Sequence, residues 1–382
     1  MKKYKFGTRA VHAGVEADPS TGAVMTPIYQ TTTYKQARPG DHKGYEYSRG
    51  TNPTRTALQN SLAALENAAY GLAFSSGMAA TETVLKLLQP GDEVITGNDL
   101  YGGTYRMFKR VFEPLGISFR FMDLGDLNAV KKAINAKTKL LWVETPTNPT
   151  LQIYDLKALA ELVNGSEALL VVDNTFASPY LQNPLDFGAD IVMHSVTKYI
   201  NGHSDVVMGA LMYNDQKLHE RLFFFYNACG GTPGPQDCFL ALRGIKTLHL
   251  RMKAHVENGE AVARFLKSHP RVAHVYWPGF EDHPGHEIAK QQMRGFGGMV
   301  SVVLKDADLQ ETFRIASNFK VFTLAESLGG VESLINHPAT MTHASIPAEI
   351  RQAVGVVDNL LRISVGIEDK DDLLSDLEQA LA

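Results

Sequence analysis

The sequence predicts an α/β protein with a mainly parallel central sheet, followed by a smaller C-terminal α+β domain. Apolar runs of strand length occur at 139–143, 168–172 and 190–193, and helical patterns separate them. Continuous apolar strands are typical of parallel sheets that helices cover on both faces. Beyond about Thr247 the pattern changes to one long helix at 249–269 and shorter strand-like segments. We therefore expect two structural units that differ in their secondary structure.

The order of elements divides the chain into three parts. Residues 1–50 are rich in Gly, Pro, Thr and Tyr without sustained periodicity, which predicts an extended arm that packs on its own core or reaches another subunit. Residues 51–246 are predicted to form the α/β domain and residues 247–382 the smaller domain. Further predicted helices lie at 54–69, 78–88 and 371–381, and further predicted strands at 71–74, 93–96, 272–276 and 298–304.

Composition argues against several classes of protein. The 382 residues suggest two or three domains at about 150 residues each, and 44% hydrophobic with 20% charged residues is ordinary for a globular protein. The formal net charge of −4 leaves no basic excess for a phosphate backbone, so we expect no nucleic-acid partner. No apolar stretch resembles a signal peptide or reaches the about 18 residues of a membrane span, so we expect no membrane association. Two cysteines are too few for a disulfide framework and fit a reducing, cytoplasmic compartment.

Four features follow predicted strands of the central sheet, where ligands bind in open α/β folds. The first is the segment 75–78, Ser-Ser-Gly-Met, in which a strand runs into small residues and then a helix. The N–H groups at the start of this helix, together with the helix dipole, suit a phosphate group, although such segments are often only tight turns. The second feature is Asp173, directly after a buried strand. Alone it fits a structural helix cap best, with a metal ligand or a cofactor partner as the alternatives.

The third feature is Lys198, one turn past a predicted buried strand and flanked by hydroxyl residues. Desolvation there lowers the pKa of a lysine and so favours the neutral amine, which is the form that makes a Schiff base. Ser195 and Thr197 offer hydroxyls to a phosphate group. A single lysine more often extends to the surface. The fourth feature is Tyr101, followed by two glycines, which fits either a ring that stacks on a flat ligand or an ordinary loop tyrosine.

Together the four features form the set that a pyridoxal 5'-phosphate (PLP) enzyme requires. Asp173 would pair with the ring nitrogen and Lys198 would carry the cofactor as a Schiff base. A dinucleotide fold is not favoured, because no GxGxxG segment opens a helix. His283 and His286, two histidines without further ligands nearby, do not predict a metal site, and we expect none.

Longer motifs make the resemblance specific. Over nearly its whole length the sequence resembles the Cys/Met-metabolism family of PLP enzymes. The resemblance implies a PLP fold type I, aspartate aminotransferase-like subunit in a homotetramer, a dimer of tight dimers whose active sites are shared between subunits. The segments that carry it are Tyr47-Ser48-Arg49, Asn52–Arg55, Ser75–Ala80, Glu144–Pro149, Val172–Phe176, Ser195–Tyr199 and Leu324–Gly330.

The resemblance also implies roles for individual residues. Tyr47 and Arg49 would reach the cofactor phosphate of the neighbouring subunit, and Thr175 would lie beside the phenolic oxygen of the cofactor. Residues expected to hold the phosphate within the same subunit are Gly77, Met78, Ser195 and Thr197. Residues expected to bind the amino-acid substrate are Arg49, Tyr101, Arg106, Asn148, Glu326, Ser327 and Arg362, of which Asn148, Ser327 and Arg362 would hold its α-carboxylate.

The reaction implied by the resemblance is γ-elimination of L-cystathionine to cysteine, 2-oxobutyrate and ammonia. Lys198 would move the α-proton, and Tyr101, close to two cationic groups, would be an acid–base partner with a low pKa. Glu326 would pair with the distal ammonium of cystathionine. The alternative is γ-replacement, in which cysteine attacks an O-acyl-homoserine, because both reactions share an intermediate. A catalytically silent relative would lack Lys198 or Asp173, and both are present.

Overall fold

The computed structural model describes residues 3–382, which form two β-sheets and the helices that cover them. The strands are β1 (Tyr70–Phe74), β2 (Glu93–Gly97), β3 (Ser118–Met122), β4 (Thr138–Glu144), β5 (Leu169–Asp173), β6 (Ile191–Ser195), β7 (Gly209–Tyr213), β8 (Val272–Tyr276), β9 (Met299–Leu304), β10 (Thr323–Leu324), β11 (Leu334–Asn336) and β12 (Leu360–Ser364). The α-helices are α1 (Phe6–His12), α2 (Pro53–Leu65), α3 (Gly77–Leu85), α4 (Gly102–Met107), α5 (Leu127–Ala133), α6 (Leu156–Val163), α7 (Ser178–Leu181), α8 (Gln216–Cys229), α9 (Pro235–Ile245), α10 (Leu248–Ser268), α11 (His286–Gln292), α12 (Leu309–Asn318), α13 (Ala348–Ala353) and α14 (Lys370–Leu381).

The larger sheet has seven strands in the order β1-β7-β6-β5-β4-β2-β3. The strands β3, β2, β4, β5 and β6 run parallel to one another, and β7 pairs antiparallel with both β6 and β1. Side chains of the central strands are buried on both faces, as with Trp142 and Val172. The predicted mainly parallel sheet is therefore confirmed, and its parallel strands end together at one edge.

Local sequence explains where the elements near that edge begin and end. Asn52 caps α2, because its side chain accepts hydrogen bonds from the N–H groups of Thr54 and Arg55, and Pro53 follows at the first helical position. The apolar residues Leu58, Leu62 and Leu65 of this helix are buried. The helix ends before the predicted residue 69, since Asn67 adopts a left-handed conformation with φ of 59°.

The smaller sheet has five strands in the order β10-β11-β12-β9-β8. Its strands are antiparallel except for the pair β10–β11. Helices α10 and α14 pack against it and against each other, and its core contains Trp277 and Phe322. This agrees with the predicted C-terminal α+β unit. The sheet also brings β12, far along the sequence, next to the edge of the larger sheet.

The N-terminal segment departs from its prediction in one respect. An extended arm was expected, but Phe6–His12 form α1, which packs on α2 and on α10. Arg9 holds this helix by donating to the carbonyl of Ala64 at 2.8 Å. The rest of the arm is irregular, and Met1 and Lys2 lie outside the described residues. The proposed boundaries at residues 50 and 246 stay a prediction. None of the helices within residues 3–382 is both long and apolar enough to span a bilayer.

Candidate active site

A cavity of about 270 Å³ lies at the carboxyl ends of β4, β5 and β6. Its wall includes the four sequence features at the strand ends and the predicted carboxylate-binding residues. Predicted site residues that line it are Gly77, Met78, Tyr101, Asn148, Asp173, Thr175, Ser195, Thr197, Lys198, Glu326, Ser327 and Arg362.

The start of α3 forms one end of the cavity. The Ser76 hydroxyl caps the helix by accepting from the Ala79 N–H at 3.0 Å. A Cβ atom at Gly77 would lie 3.3 Å from Cβ of Ser195, so the two segments approach closely. Within the described part of the chain, the N–H groups of Gly77 and Met78 have no hydrogen-bond acceptor. This end of the cavity therefore offers hydrogen-bond donors to an anion such as phosphate.

Asp173 is the last residue of β5 and is buried. Its Oδ1 accepts from the backbone N–H of Thr175 at 3.1 Å and from its hydroxyl at 2.5 Å. The Thr175 hydroxyl in turn accepts from the N–H of Ser195 at 2.9 Å, which ties the ends of β5 and β6 together. Burial raises the pKa of Asp173, whereas the hydrogen bonds from Thr175 lower it. A cation beside the carboxylate would offset this burial, so the position suits a protonated ring nitrogen.

Lys198 lies in the turn after β6, and its Nζ donates to Oγ of Ser327 at 2.8 Å. Burial, helped by repulsion from Arg362, lowers the pKa of Lys198 to about 8, while Glu326 opposes the shift. This is the direction that the sequence predicted. The neutral amine is therefore accessible near neutral pH, as nucleophilic or base chemistry requires.

The cavity wall also contains a guanidinium group with fixed partners. Arg362, on β12, is only 2% exposed, and its Nη1 donates to Oδ1 of Asn148 at 2.8 Å. Its Nη2 donates to the carbonyl of Ser327 at 2.8 Å. Burial lowers the pKa of Arg362 to about 10, so it remains a cation at neutral pH. Ser327 adopts φ of 100°, an uncommon conformation for a residue other than glycine and one often found at functional sites.

Tyr101 precedes α4 at the mouth of the cavity and is 39% exposed. Desolvation raises its pKa, Arg106 and Arg362 lower it, and the net direction is upward. The low pKa expected from its two cationic neighbours is therefore wrong for this structure, because burial of the hydroxyl outweighs them. Arg106 and Glu326 are exposed near the same mouth.

Two predicted residues lie away from this cavity. Tyr47 and Arg49 line a separate hollow with Phe223 and Asn227, and Nε of Arg49 donates to Oδ1 of Asn227 at 3.3 Å. Sequence reasoning gave no role to Glu144, which the structure buries in the cavity wall at the end of β4. The available signal was its position directly after the apolar run 139–143, the same position that Asp173 has in its strand.

The cavity therefore fits PLP on structural grounds. It combines open N–H donors for a phosphate, a buried carboxylate oxygen for a ring nitrogen, an aromatic side chain and a lysine with an accessible amine. Within residues 3–382 there is no cluster of three His, Cys, Asp or Glu side chains that could hold a metal ion.

Comparisons with known proteins agree with this interpretation. The family model "Cys/Met metabolism PLP-dependent enzyme" matches residues 7–382. The chain is 55% identical over 379 residues to a cystathionine gamma-lyase of Dictyostelium discoideum, covering 99% of this chain and 98% of the relative. It is 54% identical over 382 residues to a cystathionine beta-lyase of Coxiella burnetii, with 100% and 98% covered. It is 55% identical over 376 residues to a cystathionine gamma-synthase of Mycobacterium tuberculosis, with 98% and 96% covered.

The fold is also that of solved structures. The crystal structure of a cystathionine gamma-lyase from Lactobacillus plantarum, complexed with L-serine, superposes with a TM-score of 0.96 at 47% identity, covering 99% of this chain and 98% of the other. The predicted type I fold is confirmed by this similarity.

Proposed function

The chain belongs to the Cys/Met-metabolism family of PLP-dependent enzymes, and we propose that it catalyses γ-elimination of L-cystathionine. The products would be cysteine, 2-oxobutyrate and ammonia, with uptake of one water. One observation carries the proposal: the same cavity is lined by the buried guanidinium of Arg362, the amine of Lys198 and the carboxylate of Glu326. An amino acid with an α-carboxylate at one end and a second ammonium at the other end complements these charges.

PLP, when bound, supplies an electron sink for negative charge that develops at the α-carbon of the substrate. The residues proposed to hold it lie at the ends of four strands, β1, β2, β5 and β6. Asp173 would keep the ring nitrogen protonated, Thr175 would lie by the phenolic oxygen, and the ring of Tyr101 would cover one face. The phosphate would be held by Gly77, Met78, Ser195 and Thr197.

Arg362, Asn148 and Ser327 would bind the α-carboxylate of the substrate. The guanidinium is already oriented by its bonds to Asn148 and Ser327, both at 2.8 Å. A planar guanidinium suits bidentate recognition of a carboxylate, and a fixed orientation reduces the ordering that binding requires. Glu326 would contact the distal ammonium at the mouth of the cavity.

Lys198 would exchange places with the substrate amine, and its freed Nζ would then remove the α-proton. With a pKa of about 8, this lysine is a base near neutral pH and an acid once protonated, so it can carry protons between positions. Loss of a β-proton would then expel the γ-substituent. Tyr101, whose pKa is raised, would be a protonated phenol and hence a proton donor.

The active site would be completed by a second subunit in a homotetramer. This is supported by the position of Tyr47 and Arg49 on the irregular arm, outside the cavity of their own chain. The Tyr47 ring is 46% exposed there. A cationic side chain that reached the neighbouring cavity would add charge to its phosphate end. The cytoplasmic location indicated by the cysteine content stays a prediction.

The alternative is γ-replacement, joining cysteine to an O-acyl-homoserine, and a relative with 55% identity carries the synthase name. Two assays separate the reactions. The purified protein with PLP receives cystathionine alone, or O-acyl-homoserine with cysteine, and keto acid and cystathionine are followed in both. We expect faster release of 2-oxobutyrate from cystathionine. Faster formation of cystathionine would favour the synthase, and pyruvate in place of 2-oxobutyrate would show cleavage on the β side and contradict the proposal.

A further inference from the structure

Two buried carboxylates connect the loop after β2 with the loop after β4. Asp99 accepts from the hydroxyl of Thr147 at 2.5 Å and from the hydroxyl of Thr150. Glu144 makes the second connection, and it alone of the two lines the active-site cavity. The loops joined in this way carry Tyr101 and Asn148, one from the proposed cofactor side and one from the proposed substrate side.

Glu144 is the last residue of β4 and is 6% exposed. Its Oε2 accepts the backbone N–H of Tyr101 at 2.9 Å. The backbone N–H of Asn148 also lies close to the carboxyl group, and both N–H groups lower its pKa. Burial and the charge of Asp173, which pairs with Glu144 across the strands, outweigh them and raise the pKa of Glu144 well above its usual range. A neutral carboxyl group in this place still has an oxygen that can accept the N–H of Tyr101.

Contacts continue from Glu144 to the lysine. The side chain of Asn148 accepts from Arg362 at 2.8 Å, and Arg362 also donates to the carbonyl of Ser327. The hydroxyl of Ser327 accepts from Nζ of Lys198 at 2.8 Å. The backbone of Tyr101 is thus linked to the proposed α-carboxylate site and to the lysine through hydrogen bonds and one short loop.

The ring of Tyr101 is 39% exposed and lies directly before α4. The backbone around it is tightly confined. A Cβ atom at Gly102 would lie 2.3 Å from the carbonyl oxygen of Thr342, and one at Gly103 would lie 2.4 Å from Cε1 of the Tyr101 ring. A small displacement of this loop would therefore move the ring directly.

We propose that Glu144 is a positioning residue that sets the distance between the Tyr101 ring and the Asn148–Arg362 carboxylate site by accepting the Tyr101 N–H. It acts as a hydrogen-bond acceptor and does not touch the reacting atoms. The proposal rests on the proposed roles of Tyr101 and Asn148, and it holds for elimination and replacement alike. The nearest comparison within the sheet is Glu93, a buried carboxylate at the other end of β2, bonded to Arg120 and Asn135.

The test compares Glu144→Leu, which removes the acceptor, with Glu144→Gln, which keeps an acceptor oxygen of similar size. Glu93→Gln is the matched control, because it neutralises a buried carboxylate far from the cavity. With whichever substrate the wild type turns over, we expect Glu144→Leu to lose about 10- to 100-fold in kcat/KM, a loss typical of ångström-scale misplacement, and to raise KM as well as lower kcat. Glu144→Gln should retain most of the activity that Glu144→Leu loses. Glu93→Gln should have the same kcat/KM as the wild type.

A second readout does not depend on turnover. The circular dichroism of bound PLP in the visible range reports the surroundings of the ring, and Glu144→Leu should change it in the same direction as Tyr101→Ala. In the double variant, Glu144→Leu should cost at most about threefold beyond Tyr101→Ala, because coupled residues are not additive. Additive losses, an unchanged dichroism band, or a Glu144→Gln protein as impaired as Glu144→Leu would each overturn the proposal.

The test still distinguishes the outcomes if the wild type is inactive or if one variant does not fold. A wild type inactive with both substrate sets would contradict the proposed function, whereas the dichroism comparison would still decide the position of Tyr101. Should Glu144→Leu not fold, Glu144→Gln and its double variant with Tyr101→Ala remain. If Glu144→Gln lowers kcat/KM and the same loss adds to that of Tyr101→Ala in the double variant, the proposal is contradicted. If Glu144→Gln keeps nearly all of the wild-type kcat/KM and dichroism, residue 144 acts as an uncharged hydrogen-bond acceptor, as proposed.

Discussion

The cofactor side and the substrate side of the cavity are built from different parts of the chain. Asp173 and Lys198 follow neighbouring parallel strands, β5 and β6, and both strands end at the same sheet edge. Arg362 instead comes from β12 of the smaller sheet, and Ser327 from an irregular segment next to it. The first arrangement follows from local order along the sequence, whereas the second depends on how the two sheets meet.

The two sides also differ in electrostatics. On the cofactor side, burial raises the pKa of Asp173 and lowers the pKa of Lys198 to about 8, so burial shifts each group toward its neutral form. On the substrate side Arg362 stays cationic even though burial lowers its pKa to about 10. We therefore expect variants on the cofactor side to alter cofactor attachment, and variants on the substrate side to alter substrate binding while the cofactor stays attached.

The largest effect is expected for Lys198→Ala. Removing the amine should abolish covalent attachment of PLP and reduce kcat by about 10³-fold or more, because both the nucleophile and the proton carrier are lost. Visible absorbance that survives desalting measures attachment, and keto acid release measures turnover. A variant that keeps both would remove Lys198 from the centre of the site.

A smaller and different effect is expected for Arg362→Lys. The ammonium keeps the charge but cannot bind a carboxylate through two parallel N–H groups, and it leaves Oδ1 of Asn148 and the carbonyl of Ser327 without their present donors. We expect KM to rise and kcat/KM to fall by about 10- to 100-fold, since hydrogen bonds to charged groups contribute about 1.5–3 kcal/mol. Steady-state kinetics measure both constants.

The control for this variant is Arg314→Lys, which changes an arginine on the exposed face of α12 that pairs with Glu311. Its kinetics should equal those of the wild type. The Arg362→Lys protein should keep its PLP absorbance. Loss of cofactor together with substrate affinity would mean that the two sides of the cavity are not separate in function.

Much of the cofactor side could be predicted because its residues have a periodic framework around them. Apolar strand-length runs located β4, β5 and β6, and the features at Asp173 and Lys198 marked the edge of the sheet after two of them. Arg362 could not be found in this way: it stands between apolar residues on a strand of the smaller sheet, and its hydrogen-bond partners come from positions 148 and 327. Only the family resemblance pointed to it.

Two sequence expectations failed for a physical reason as well. The pKa of Tyr101 was expected to be low from charges alone, but desolvation is the larger contribution. Helix α1 was missed because its seven residues are too few to show sustained apolar periodicity, and it packs on α2 and α10. Both depend on burial, which follows from the tertiary structure.

An effect of intermediate size is expected for the rate at which the cofactor-free protein attaches PLP. The amine form of Lys198 reacts, and its pKa is lowered to about 8, so capture should be slow at pH 7 and speed up as the pH rises through 8. Between pH 7 and pH 9 the amine fraction of such a group rises about tenfold. The growth of visible absorbance after mixing gives the rate. A lysine with an ordinary pKa would show a continuing rise beyond pH 9, and that profile would contradict the buried amine.

The smallest expected effect is the activity recovered by mixing two variants, which tests whether a neighbouring chain contributes a residue to the cavity. Arg49→Ala and Lys198→Ala subunits, each nearly inactive, are mixed, and subunit exchange is verified by mass spectrometry of differently tagged chains. If Arg49 serves the neighbouring site, a hybrid dimer has one site with both residues intact and one with neither, so an equal mixture should recover about a quarter of wild-type activity. If Arg49 serves its own chain, every site lacks one residue and no activity returns. Recovery would place the arm on the cofactor side of the partner's cavity. Tyr47, which lies beside Arg49 and is 46% exposed in the single chain, would then also become buried. The contrast between the two sides would then extend to a third region of the site, which another subunit supplies.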